Sequence, residues 1–194
     1  MEVLVTLNWQ DKLRTLIQAH EQGHPLVRIY FSYSPPLETG SVDATIQEMA
    51  LELDLGPEID DLIQPLRDLY KITDGLVIDV GLTIFALENK TFGILRSVND
   101  QFLDIVQDMV PKDATEIPMP VKLIFGSDEA GDFLCLSDDG SIIRVGHDAP
   151  EAPVIANSLG TFLDDLCMGP GFIRYYGPTE GDLWVSILTE FGFI

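Results

Sequence analysis

Basic residues are scarce in this chain. Lys and Arg number 11 against 32 Asp and Glu, a formal net charge of −21 over 194 residues. That shortage disfavours nucleic acid, whose phosphates are neutralised by Lys and Arg, and it disfavours anionic membrane surfaces for the same reason. Cysteine is scarcer still. Cys135 and Cys167 are the two thiols, without the spacing of a metal site, and each stands among apolar neighbours, so both read as buried and reduced. Long hydrophobic runs are missing as well: the longest, Gly75–Leu87, is interrupted by Asp79 and is too short to span a bilayer. The opening Met1-Glu2-Val3-Leu4 lacks the basic start of a signal peptide. These absences together point to a soluble, cytoplasmic protein.

What is present is apolar and acidic. Hydrophobic residues make up 46%, too many for a disordered chain, and a compact chain of this length exposes only about 9,000 Å². One domain over residues 1–194 is the expectation. Both halves are acidic, with 15 acidic and 7 basic residues up to Ser97 and 17 and 4 beyond it. The negative field therefore covers the molecule, and it steers towards a basic partner.

The organising stretch is 121–148. Three β-type runs (121–125, 133–137 and 141–145) are separated by Gly126–Asp132 and by the tight turn Asp138-Asp139-Gly140, where Asp and Gly tolerate turn geometry. An antiparallel meander follows from this, with its side chains split between a helix-covered face and the other. Ahead of it, Asn8 can cap a helix bearing Trp9, Leu13, Leu16, Ile17 and His20, closed by Gly23 and Pro25. Leu26–Tyr33 alternates like a strand, and Ser41 can cap a helix carrying Ile46, Met49, Ala50 and Leu53. Glu58–Thr73 keeps a helical period that Pro65 breaks in two. Leu76–Val80 and Leu82–Leu87 read as strands around Gly81, and Ser97 or Asn99 starts a helix with Phe102, Ile105, Val106 and Met109 on its stripe. Val154–Ala156 reads as a strand, and Asn157-Ser158 caps a helix through Leu159, Phe162, Leu163 and Leu166. Gly169–Ile194 mixes both patterns.

Chemistry-bearing motifs are few. His20-Glu21-Gln22-Gly23-His24 matches HExxH, in which two His one helical turn apart ligate zinc and the Glu serves as general base. Pro25 biases His24 away from helical geometry, and the extended form of the motif fails at Val27 and Tyr30. A zinc hydrolase is thus the remote alternative, and no cofactor or metal is expected. The neighbours Asp60-Asp61, Asp138-Asp139 and Asp164-Asp165 point apart on a helix or strand and make poor acid–base dyads. Asp128, Glu129 and Asp132 lack the spacing of a calcium loop. Gly169-Pro170-Gly171 is not a phosphate loop, and neither GxxxxGK[ST] nor GxSxG occurs. The acids of the meander's turns, Asp128, Glu129, Asp138 and Asp139, are instead the candidate binding residues.

Around Phe125–Leu136 the chain resembles the SUKH superfamily, the Smi/Knr-type group that includes cell-wall regulators and many bacterial immunity proteins. The features that carry the resemblance are Gly131-Asp132, Gly140, His147-Asp148 and Ser158 with Phe162-Leu163, and upstream Leu66–Tyr70 followed by Thr73-Asp74-Gly75. They cover about residues 43–167, leaving extensions at 1–40 and 168–194. The resemblance implies an α+β fold, a mixed and largely antiparallel curved sheet packed against helices. It also implies binding rather than catalysis. Gly131, Asp132, Gly140, Asp148 and Ser158 become structural positions. The resulting expectation is an immunity protein that neutralises a cognate basic, nuclease-like toxin, without nucleic acid or membrane as a partner. A regulatory or scaffold module of the same type is the alternative.

Overall fold

A computed structural model describes residues 7–56, 59–79, 81–88, 93–109, 121–146, 152–177 and 182–194. Its centre is a seven-stranded open sheet in which every strand pairs with its neighbour in sequence. The strands are β1 (Phe31–Tyr33), β2 (Leu76–Ile78), β3 (Leu82–Ile84), β4 (Val121–Ser127), β5 (Phe133–Ser137), β6 (Ile142–Val145) and β7 (Val154–Ala156). All six pairings are antiparallel, and the parallel contribution among the described residues is an isolated bridge between Ala86 and Ile94. The fold is α+β. The expected meander is its middle, with Ile124 opposite Cys135 and Cys135 opposite Ile143. Register shifts interrupt β4 at Val121/Leu123 and Ile124/Gly126, the kind of irregularity that bends a strand.

The expected split between two faces does not appear. Leu123, Ile124 and Phe125 are buried in succession, as are Leu134, Cys135 and Leu136, and Ile142 and Ile143. Consecutive burial means that both faces of the sheet are covered.

Helices surround the sheet: α1 (Trp9–Glu21), α2 (Val27–Tyr30), α3 (Thr39–Glu52), α4 (Ile59–Leu62), α5 (Gln64–Tyr70), α6 (Leu95–Met109), α7 (Leu159–Thr161), α8 (Gly171–Tyr176) and α9 (Leu183–Glu190). α7 runs on into a π-helical turn, Phe162–Cys167. Among the described residues no helix is long and apolar enough to cross a membrane.

The capping residues Asn8 and Ser158 do what their chemistry favours. Asn8 accepts the Asp11 N–H through its side chain at 3.0 Å, and Ser158 accepts that of Thr161 at 3.1 Å. The break near Pro65 falls at Ile63, and the proline lies in the first turn of α5, where its missing N–H costs little.

Three expectations are corrected. Leu26–Tyr33 is strand only from Phe31: Val27–Tyr30 is a helical turn closed by Leu26 C=O accepting from Ile29 and Tyr30. Val27 and Phe31, four apart, are buried while Ile29 is 68% exposed, so helical spacing wins over alternation. Ser41 lies inside α3, where its N–H donates to the Glu38 carbonyl. Asn99 lies in the middle of α6, and the buried stripe is Leu95, Asn99, Leu103 and Val106, with Phe102 and Ile105 outside. In the tail, whose sequence pattern is mixed, the described residues include the helices α8 and α9.

Both extensions close on the π turn. The buried Lys12 ammonium donates to the Asp164 carbonyl and pairs with its carboxylate, each at 2.9 Å. The buried Trp184 indole N–H donates to the Cys167 carbonyl at 3.0 Å. His24 meets Glu190 at 3.1 Å, which joins the end of α1 to α9.

Candidate functional site

The two turns of the meander are built by their own acids. In the β4–β5 turn, Asp128 Oδ1 accepts the N–H groups of Ala130 at 2.9 Å and Asp132 at 3.0 Å. Its other oxygen lies 3.7 Å from the Arg144 guanidinium, which also stands 3.7 Å from Asp132 Oδ2. Arg144 in turn lies over the Tyr175 ring, 5.7 Å from its centre. With only 4% of its side chain exposed, Asp128 holds the loop and offers little to a partner. Glu129 at the same turn is exposed.

In the β5–β6 turn, Asp139 Oδ1 accepts the Ser137 hydroxyl at 2.7 Å and the Ser141 N–H at 2.9 Å. Hydrogen bonds from Ser137 and Ser141 hold its carboxyl below the usual carboxylate range. Asp138 is half-buried and 3.2 Å from Lys122. Gly131 and Gly140 both sit at φ +84°. The four acids therefore do not converge into one patch of free carboxylates: two build turns, one is paired with a lysine, and Glu129 faces out. Asp148 lies outside the described residues.

The HExxH segment resolves into a helix end. Gly23 N–H donates to His20 C=O at 3.0 Å and His24 N–H to Ala19 C=O at 2.9 Å, the bond pattern of a Schellman cap. Gly23 takes φ +84°, which reverses the chain between the two histidines. His20 then packs edge-on against Tyr33, with ring centres 5.3 Å apart. Glu21 accepts the Tyr33 hydroxyl at 2.9 Å, and burial with that bond raises the Tyr33 pKa. His24 faces Glu190 through Nε2 and receives the Val27 N–H on Nδ1 at 3.3 Å. Two imidazoles with separate partners leave no shared ligand position. Among the described residues no three His, Cys, Asp or Glu side chains gather as a metal site.

Among the described residues, the thiols are buried and the cleft beside β7 is lined by paired charges. Burial pushes the Cys135 and Cys167 thiols well up, the opposite of an activated thiolate. A cleft of about 190 Å³ beside β7 is lined by Ile155, Thr161, Asp165, Arg174 and Tyr175. Its charges are engaged with one another: Arg174 pairs with Asp165, which also accepts the Gly171 N–H at 2.9 Å.

The sequence reading names Asp74 within the Thr73-Asp74-Gly75 turn but misses what its carboxylate holds. Asp74 is 2% exposed and accepts the N–H groups of Leu87 at 2.6 Å and Glu88 at 3.3 Å. Tyr70, also buried, donates its hydroxyl to Phe85 C=O at 2.5 Å. The segment after β3 is thereby tied to the end of α5. The signal was an Asp-Gly pair closing a helix, which reads as a stop and says nothing of what the carboxylate will hold.

What the described residues present is an acidic surface on a hydrogen-bonded frame. No curated protein matches the chain. The profile of the SMI1 / KNR4 family (SUKH-1) matches residues 43–165, a span that runs from α3 through the meander into the π turn, and the chain belongs to that family.

Proposed function

We propose that this chain is a non-catalytic protein-binding domain acting in the cytoplasm as an immunity protein, and that it neutralises a cognate basic, nuclease-like toxin. The observation that carries the reading is the net charge of −21, spread over a fold in which buried Asp74, Asn99 and Asp128 hold backbone groups of loops, strand and turn. A negative field of that size accelerates encounter with a basic protein and penalises acidic competitors. It also repels the phosphates that such a toxin would attack.

The test asks first whether a toxin-like domain is encoded beside this chain, and then co-expresses the two, with growth as the readout and association kinetics of the purified pair alongside. Growth should be restored, and the on-rate should fall steeply as salt rises, since screening shortens the reach of charge to about 8 Å at physiological ionic strength. Changing Glu129 and Asp138 to their amides should lower the on-rate more than it raises the off-rate. Failure to protect, or an on-rate indifferent to salt, overturns the proposal.

A further inference from the structure

We infer that the open edge of β7 and the cleft beside it take up an extended segment of the protein partner, paired as an added strand and anchored by one apolar side chain; the inference rests on the binding role proposed above and gives it a place. β7 (Val154–Ala156) is the last strand of the open sheet. The Arg144 N–H donates to Pro153 C=O at 3.1 Å, and the next pair along is Ile143 opposite Val154. Bonded and non-bonded pairs alternate in an antiparallel ladder, so the N–H and C=O of Val154 point away from β6. Among the described residues no bond from another element reaches them, and Val154 is 45% exposed. The sheet's other edge differs: Phe31 of β1 is fully buried, and its N–H closes on the Val27 carbonyl.

β7 carries no charge against pairing. Natural edge strands are kept apart by charged side chains, lysine above all, yet in a chain with 32 Asp and Glu this edge reads Val-Ile-Ala. Its shortness, and Pro153 with no N–H to offer, confine pairing to one brief segment and exclude an indefinite ladder. Directly beside this edge, Ile155, Ala156, Leu166 and Tyr175 wall the cleft of about 190 Å³, space for one leucine-sized side chain. At its mouth Arg174, 65% exposed, pairs with Asp165, a polar rim around an apolar anchor site.

This chemistry selects the occupant. An unpaired N–H and C=O on a strand edge are matched by an extended backbone, whereas a helix has already spent its own backbone groups internally. Side chains of an added strand alternate, so one can enter the cleft while its neighbours face solvent. The field of a chain at −21 favours lysine or arginine on either side of that anchor. A second copy of this chain would bring an equal negative charge to the same edge.

The experiment titrates the full chain with an acetylated and amidated peptide, Lys-Thr-Val-Leu-Thr-Lys. Two further forms of it are N-methylated at alternate residues, one form for each edge of the added strand. Backbone amide shifts should centre on 154–156 and on the cleft. One methylated form should bind like the parent and the other at least about tenfold more weakly, since only one edge pairs. Replacing the peptide's leucine by glycine should also cost at least about tenfold, and exchanging its lysines for glutamates should weaken binding. Val154→Pro removes the outward N–H without breaking a bond to β6, so it should weaken binding by a similar factor with little change in thermal midpoint. If that variant does not fold, the methylated peptides decide alone. Shifts centred elsewhere, equal binding of both methylated forms, binding undiminished in folded Val154→Pro, no binding up to about 1 mM peptide, or dimers of the free chain that Val154→Pro abolishes overturn the proposal. The growth assay separates the two claims. Val154→Pro that protects like wild type keeps the immunity role and removes this edge from it. Wild type that fails to protect while the peptide still pairs with β7 removes the immunity role and keeps the edge.

Discussion

At the scale of single residues, the meander's turns show why acids can be numerous without being available. Asp139 is exposed, yet its carboxylate is the acceptor on which the β5–β6 turn closes. Its pKa is lowered by the Ser137 and Ser141 hydrogen bonds, so it stabilises the fold above the ordinary carboxylate pKa and loses that contribution as pH falls through its lower folded value. Asp139→Ala should cost on the order of 1 kcal/mol near neutrality, with the deficit shrinking towards pH 3; urea midpoints at the two pH values measure it. A deficit that is constant with pH would mean that the charge is not what closes the turn. Gly126 is set by space rather than by charge. A Cβ there would lie 2.4 Å from the Thr83 carbonyl oxygen, which belongs to the backbone of β3 and cannot swing away. Gly126→Ala should therefore force the β3–β4 contact apart and cost roughly 2 kcal/mol or more, read as a lowered thermal midpoint with loss of amide protection at Thr83 and Ile84.

At the scale of elements, α6 takes the place of a strand. β3 pairs with β4 at Thr83–Ser127 and Ile84–Gly126, and the Phe85 N–H adds a bond to Phe125 C=O at 3.0 Å; the edge of β4 ahead of Phe125 needs other partners, because buried backbone groups go unpaired only at a cost. Asn99 and Gln107 supply them from two turns of helix. Asn99→Asp keeps the shape but removes the amide donors to Leu95 C=O and Ile124 C=O and buries a charge. A loss of about 3 kcal/mol is expected. Burial raises the introduced carboxyl's folded pKa, so the penalty should be smallest at acid pH and grow as pH rises through that value. Equal stability of Asn99→Asp and wild type at pH 7 would show that the edge is satisfied some other way.

This element also marks where sequence reading stopped. Period and caps gave away the meander, the Asn8 and Ser158 caps and the break before α5, since these depend on local chemistry. Asn99 looked like a helix start because Asn favours that position in isolation; its real partner is a strand 25 residues away. Phe102 and Ile105 looked like core because they are apolar at helical spacing. The competing stripe through Leu95 and Leu103 won, and only packing decides between two such stripes. The HExxH match failed at Gly23, a residue the pattern treats as free.

At the scale of the whole molecule, helices outside the family match contribute to the same core. Residues 43–165 match the family, yet Leu13 and Leu16 before that span, and Trp184, Ile187 and Leu188 after it, show no exposure at all. Lys12 and Trp184 fasten these helices to the π turn, at Asp164 within it and at Cys167 at its end. Burying Trp184, Ile187 and Leu188 stabilises the chain by about 1.5–3 kcal/mol for each side chain, a sum comparable to the 5–15 kcal/mol that typically separates a folded domain from its unfolded chain. The C-terminal helix should therefore be a condition of folding and not an appendage. A chain ending at residue 181 is expected to lose its near-ultraviolet circular dichroism and its cooperative thermal transition, while Trp184→Phe, which keeps the ring packing but drops the bond to Cys167, should unfold in one transition at a lower temperature. If the shortened chain melted cooperatively within about 1 kcal/mol of the full one, the family-matched core would stand alone and α9 would have to be explained by something other than stability.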